Sequence, residues 1–196
     1  MWFSANRIVR LVKERGIIIE PFDERLLKPA SYVLRLGSEC LVWKDLGMNI
    51  QLDKYMATSE HFERLRTEEV CLRPGIFTLA SSLEVLRLPM EVIGVLSTLS
   101  HVARFGLNVV QGSSLVSPGF GQKLPTALTF EIVNANPNPI WLRPGLPICH
   151  IAFQEVSNKG TPNAILQTSV YETRKAPAPP LYSEEFRDFC DIPKAR

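Results

Sequence analysis

The chain has 196 residues, and its 22 lysines and arginines against 20 aspartates and glutamates leave a formal charge of +2; 45% of residues are hydrophobic and 21% charged. Such a chain can bury a core, which argues against intrinsic disorder and against a basic tail that coats nucleic acid. One domain is expected at this length, and a domain of roughly 150 residues buries about two-thirds of its unfolded surface, so no metal or disulfide staple is required.

Ser4 suits the N-cap of a helix that sets Ile8, Val9, Leu11 and Val12 on one side and ends at Gly16. The β-branched run Ile17-Ile18-Ile19 and the segment Ala30–Gly37 then read as short strands between turn formers. Residues 44–69 are rich in acids and lack sustained periodicity, which predicts a surface excursion with at most a short helical turn. From Val70 onward the pattern is a run of short strands: Ile76–Ser81, Glu84–Leu88, Val92–Leu96, Leu107–Gln111, Ala127–Val133, Ile140–Leu142 and Ile148–Phe153. Strands at this spacing predict a sandwich or barrel.

The sequence Leu-Arg-Pro-Gly occurs at 72–75 and again at 142–145, each time before an apolar strand. Proline and glycine there fit the centre of a type II turn, and two similar hairpins are the simplest expectation. Ser97–Phe105 breaks the strand pattern, with Ser100 placed to cap one helical turn, and a helix wedged among strands marks a candidate site. Residues 1–160 are read as the domain. Residues 161–196 are read as a C-terminal arm, proline-rich at 176–180, with Tyr182, Phe186 and Phe189 among acids.

Cys40, Cys71, Cys149 and Cys190 form no C-x-x-C pair, and His61, His101 and His150 lie in no zinc-holding motif. Zinc-dependent deaminases and proteases are therefore poor readings, and the thiols are expected to be reduced and mostly buried. No apolar run approaches the roughly 20 residues of a membrane span, and the first residues lack a secretory pattern. A cytoplasmic protein with neither a membrane nor a nucleic-acid polymer as partner is expected.

Several segments in order carry a family resemblance. They are Ile19–Asp23 with Pro29–Gly37; Leu72–Gly75 followed by Leu79-Ala80-Ser81; Leu88-Pro89 followed by Gly94; Ser100–Leu107; Pro118-Gly119-Phe120; and Leu128–Asn134. Together they resemble the dCTP deaminase branch of the dUTPase superfamily. The resemblance implies a mainly β, dUTPase-like distorted β-barrel or jelly roll, with an N-terminal helix and a short helix at the site. It implies a homotrimer with active sites between subunits, acting on dCTP or a related pyrimidine nucleotide. The implied reaction converts dCTP and water to dUTP and ammonia without a protein-bound catalytic metal, magnesium arriving with the triphosphate.

In that reaction water attacks C4 of cytosine, N3 gains a proton and the amino group leaves, so a carboxylate must accept a proton and return one. Glu131 matches the family's catalytic glutamate, Arg104 the arginine that steadies it and the water, and Ser100 the serine of the short helix. Strand alternation alone favours turning Glu131 to solvent or into an ion pair, an ordering that the family match reverses; Arg104 could be a surface cation, and Ser100 a simple cap. The implied substrate-binding set is His101, Val102, Ala103, Ser117, Thr129, Phe130, Tyr171, Arg174 and Lys175.

The chain departs from the family pattern at demanding positions. Leu99 stands where a phosphate-contacting arginine is usual, and such a charged hydrogen bond is worth roughly 1.5–3 kcal/mol. Ser117 stands for the aspartate that reads the sugar, and Val33 for an acid in the Tyr-Asp-Leu-Arg-Leu-Gly strand. Residues 121–126 lengthen the approach to Glu131. These changes keep open the alternative of a catalytically impaired trimer that binds a nucleotide or a protein, with a dUTPase as a weaker third reading.

Overall fold

The computed structural model describes residues 1–52, 58–66, 68–157, 176, 177 and 180. The chain opens with α1 (Ala5–Lys13), where the Ser4 hydroxyl accepts from the Arg7 N–H and Ile8 is fully buried. The helix ends three residues before the expected Gly16. Gly16 N–H donates to the Leu11 carbonyl and Arg15 N–H to the Val12 carbonyl, a Schellman closure in which Arg15, not glycine, takes the left-handed position at φ 57°.

The strands that follow are β1 (Ile18–Glu20), β2 (Leu27–Lys28), β3 (Ser31–Trp43), β4 (Phe62–Arg66), β5 (Val70–Leu72), β6 (Phe77–Arg87) and β7 (Val92–Thr98). After the short helix α2 (Ser100–Ala103) come β8 (Leu107–Asn108), β9 (Leu115–Val116), β10 (Thr126–Asn134), β11 (Ile140–Leu142) and β12 (Pro147–Glu155). Among the described residues, ten strands form one curled sheet in the order β8-β10-β6-β3-β12-β7-β9, with β1 on β6 and β2 and β4 on β3, while β5 and β11 form a separate pair. This is the mainly β, barrel-like fold expected from the sequence, with its N-terminal helix.

The long strand β3 makes the curl. Its first half pairs with β12 through Tyr32–Arg35, and its second half crosses to β6 through Cys40–Val42, with a register shift between Leu36 and Cys40. At this corner Glu84 is fully buried, and it accepts from the Arg35 side-chain Nε at 2.6 Å and from the Arg35 backbone N–H at 2.8 Å. The enclosed core includes Phe3, Ile8, Tyr32, Leu34, Phe130, Ile132, Ile151 and Phe153. Each such side chain stabilises the fold by about 1.5–3 kcal/mol.

Several expectations are corrected. Within 44–69, Phe62–Arg66 is a strand beside β3, because Glu39 on β3 draws Arg64 and Arg66 across the ladder at 2.7 and 3.0 Å. The two strands read at 76–88 are one, β6. The strand read at 107–111 is two residues long, since Gln111 turns its N–H onto the Glu131 carbonyl. The two Pro-Gly segments do form turns with Gly75 at φ 74° and Gly145 at φ 86°, but they are not hairpins. Each turn leads from the two-stranded pair into the large sheet, β5 to β6 and β11 to β12, and β5 and β11 pair with each other. Ser100 is not the N-cap of α2; Leu99 holds that place without a side-chain bond, and Ser100 is the first helical residue.

Cys40 and Cys149 are buried, and burial pushes their thiols up to about 11 and about 12, which makes them inert at neutral pH. Cys71 is half-buried. Cys190 and most of the arm from Thr161 onward lie outside the described residues. Among those residues no helix is long and apolar enough to cross a membrane.

Candidate active site

The side chains of β10 divide between two faces. Leu128, Phe130 and Ile132 point into the core, so Thr129 and Glu131 share the opposite face. That face opens on a cavity of about 480 Å³, whose walls also include Trp43 from β3, Phe77 and Leu79 from β6, and Ser113, Leu115, Ser117, Pro118 and Phe120 from the segment after α2. Pro180 of the C-terminal arm completes the lining.

The register of Glu131 is set on both sides. Across β6 it faces Leu79, and on the other side its carbonyl accepts from Gln111 N–H at 3.0 Å. The longer 121–126 segment is closed before β10 develops: Gln122 Nε2 donates to the Leu88 carbonyl, and the Thr126 hydroxyl donates to the Leu124 carbonyl at 2.7 Å. A register shift follows, where three residues of β6, Ser82–Glu84, stand opposite Leu128. The freed Leu128 N–H donates to the Ser82 hydroxyl at 2.8 Å, and that hydroxyl donates to the Glu84 carbonyl at 2.6 Å. The Leu128 N–H and the Ser82 hydroxyl are thereby both paired, and the shift of two keeps Glu131 on the cavity face.

Glu131 Oε2 accepts from the backbone N–H groups of Gly112 at 2.7 Å and Ser113 at 3.1 Å. Among the described residues Oε1 accepts from nothing, so one oxygen is anchored and the other is free to meet a ligand or water. A pinned carboxylate with an open oxygen can carry a proton between two atoms brought close to it. Glu131 is the only charged residue in the cavity wall among the described residues. Neither Gly112 nor Ser113 is marked by a side chain in the sequence, since both act through main-chain donors, and only the polar turn Gly112-Ser113-Ser114 hints at them.

The structure brings Glu131, Thr129 and Ser117 to one cavity but not the residues of α2. Ser100, His101, Ala103 and Arg104 are exposed, Val102 packs against the core, and none of them lines the cavity. The Arg104 side chain makes no hydrogen bond or ion pair among the described residues. The Phe130 ring lies in the core at 1% exposure, and Phe130 does not line the cavity. Val33 is buried opposite His150, and Leu99 is half-buried with its N–H on the Ile148 carbonyl. Tyr171, Arg174 and Lys175 lie outside the described residues. No group of three or more His, Cys, Asp or Glu side chains is placed to hold a metal ion among the described residues.

A curled β-sheet with a carboxylate poised in a small-molecule cavity defines the class, and comparison with known proteins supplies the family. Residues 2–156 match the family model described as "dCTP deaminase-like". The chain is 31% identical over 195 residues to a Methanopyrus kandleri protein named "dCTP deaminase, dUMP-forming", covering 95% of this chain and 97% of that one. It is 32% identical over 197 residues to a Dictyoglomus thermophilum protein of the same name, covering 97% of each. The 2'-deoxycytidine 5'-triphosphate deaminase from Agrobacterium tumefaciens has a similar fold, with a TM-score of 0.62 at 18% identity over 80% of this chain and 48% of that chain. The chain belongs to the dCTP deaminase-like family, which places it among enzymes of the deaminase and hydrolase kind.

Proposed function

We propose that this protein deaminates a cytosine deoxynucleotide, converting dCTP and water to dUTP and ammonia, with Glu131 as the proton shuttle. The observation that carries the reading is the Glu131 carboxylate, fixed through Oε2 by two amides and open at Oε1 to a cavity within the usual ~300–1,000 Å³ of a small-molecule site. Water bound at Oε1 gives a proton to the carboxylate as its oxygen bonds to C4, and Glu131 passes that proton to N3. The tetrahedral carbon then collapses: the remaining hydroxyl proton travels through Glu131 to the amino group, and the C4–N bond breaks to release ammonia. The route runs through the carboxylate, in a sequence without a zinc-holding motif.

Ser100 and Arg104 act here from a neighbouring copy of a homotrimer, a placement supported by the exposure of α2 and by the lack of any α2 residue in the cavity wall of its own chain. Magnesium comes with the triphosphate as part of the substrate. His101, protonated, and the arm residues Arg174 and Lys175 supply phosphate contacts where Leu99 supplies none. Pro180 on the cavity wall supports this role for the arm, because Arg174 and Lys175 precede it by only six and five residues. Reaction in the cytoplasm suits such a substrate.

The product is the finer question. Cleaving the triphosphate needs a second activated water at phosphorus, and the residue before Pro118-Gly119 is the neutral Ser117, which favours release of dUTP. The names of the relatives favour a second reading in which dUMP and diphosphate are released. Chromatography of a dCTP reaction separates them: dUTP accumulating without diphosphate supports the first, and dUMP with equal diphosphate supports the second. Tight nucleotide binding without any product would overturn both in favour of a binding trimer.

A further inference from the structure

Phe105 follows Arg104 directly and is 66% exposed, yet its backbone is firmly held. The Phe105 N–H donates to the Val102 carbonyl at 3.0 Å, its carbonyl accepts from Asn136 Nδ2 at 2.9 Å, and the Gly106 carbonyl accepts from Ala135 N–H at 2.8 Å. Asn136 N–H donates in turn to Oδ1 of Asn134, a fully buried residue three positions after Glu131 on β10. A Cβ on Gly106, whose φ is 80°, would stand 2.9 Å from the Asn136 nitrogen, so the turn requires glycine there. Single exposed apolar side chains are ordinary. An aromatic ring mounted outward on a braced turn, beside an arginine with no partner among the described residues, is instead a peg. The same chain carries a matching hole: the wall of the Glu131 cavity is mostly apolar, its Leu115 is 59% exposed, and Glu131 is its one charge among the described residues.

We infer, on the placement of α2 against a neighbouring copy given above, that Phe105 of one copy packs over Leu115 of the next and closes the apolar side of that copy's cavity. Charge and shape agree. The peg sets a cation beside an aromatic ring, and the hole sets a carboxylate in an apolar wall. Aromatic residues and arginine are enriched in the buried centres of protein interfaces, where other charges are depleted. Peg and hole are different patches of one chain, and neither α2 nor Phe105 lines the cavity of its own chain, so their union is head-to-tail. Such a contact builds a ring when the rotation between copies closes. The bonds from Phe105 through Asn136 to the end of β10 hold the peg at a fixed place relative to Glu131, which fixes that rotation.

The test is a cysteine pair in the full chain, bridged by a short bis-maleimide. Both positions are exposed, so Phe105→Cys with Leu115→Cys leaves the fold of each chain intact. On a denaturing gel this double variant should link chains up to the size of the closed assembly. Wild type and the two single variants, which carry the native Cys71 and Cys190, should show background only. Linking in Phe105→Cys alone at the level of the pair would mean that like patches meet, and overturns the proposal. An assembled protein whose 105 and 115 cysteines do not link also overturns it, as does a wild type that sediments as single chains. A second measurement is the concentration at which the assembly half-dissociates. Phe105→Ala should raise it about tenfold or more, and Phe105→Leu should keep most of the affinity. An unchanged midpoint in Phe105→Ala contradicts the contact. Ammonia release plays no part in these readouts: linking without deamination leaves the contact standing and overturns the deaminase reading, and deamination without linking does the reverse.

Discussion

The amide of Gly112 donates to Glu131 Oε2 at 2.7 Å, and a Cβ built on residue 112 would stand 2.7 Å from that same oxygen. The close approach that anchors the carboxylate therefore exists only with glycine at 112. Gly112 is exposed, and what a methyl group there displaces is the end of a flexible side chain. Gly112→Ala should therefore cost little stability while swinging the carboxylate out of place, lowering kcat at least tenfold. Thermal melting beside steady-state turnover checks this, and unchanged kcat would contradict the anchoring role.

The separation of α2 from the Glu131 cavity gives a prediction about assembly. If Arg104 serves the cavity of a neighbouring subunit, then Arg104→Ala and Glu131→Gln proteins, each inactive alone, should recover activity when unfolded together and refolded. Random mixing in equal amounts in a cyclic trimer leaves about a quarter of sites with both wild-type groups. Recovery near that fraction supports a shared site, and no recovery from properly assembled mixtures places both groups in one chain.

Arg35 and Glu84 form the ion pair at the corner where β3 crosses the sheet, with side chains 20% and 0% exposed. Removing the arginine strands a buried carboxylate, a change that costs about 3–5 kcal/mol. Arg35→Ala should lower the urea midpoint accordingly, and the double change Arg35→Met with Glu84→Leu should recover much of the loss. A loss below about 1 kcal/mol in the single variant would mean that Glu84 finds water or another partner.

Burial, helped by the Lys28 charge, holds His150 below the ordinary imidazole value. Its Nδ1 meets the Ser31 hydroxyl at 3.2 Å, and its ladder partners are Val33 and Ser97. The unfolded chain takes up this proton near pH ~6.5 while the folded chain resists it, so His150 favours the fold above that pH and the benefit fades as pH falls. Urea midpoints between about pH 7 and 5 should fall on acidification, and His150→Gln should flatten part of that fall. An identical slope in the variant would contradict the assignment.

Sequence pattern revealed the barrel because Leu128, Phe130 and Ile132 alternate with Thr129 and Glu131 as a half-buried strand must. It missed β4, whose charged residues Glu63, Arg64 and Arg66 disguise a strand held by cross-strand pairing to Glu39. It also placed a glycine at the end of α1 where Arg15 bears the left-handed turn, because local preference is a weak guide once Ile17 and its neighbours are committed to the core. In the candidate site, Glu131 was legible through its motif. The groups that hold it were not, since the Gly112 and Ser113 amides carry no side-chain signature and their placement depends on a long-range approach of one loop to one strand.

On the deaminase reading, the Glu131 carboxylate moves the proton between water, N3 and the leaving amino group. Ammonia release from dCTP with magnesium, measured for wild type and Glu131→Gln at equal nucleotide occupancy, tests it most directly. Steady release by wild type and a loss of roughly 10²–10⁴-fold in the variant, with nucleotide binding retained, are expected. Equal release by the two proteins, or none by wild type with dCTP bound, would contradict it.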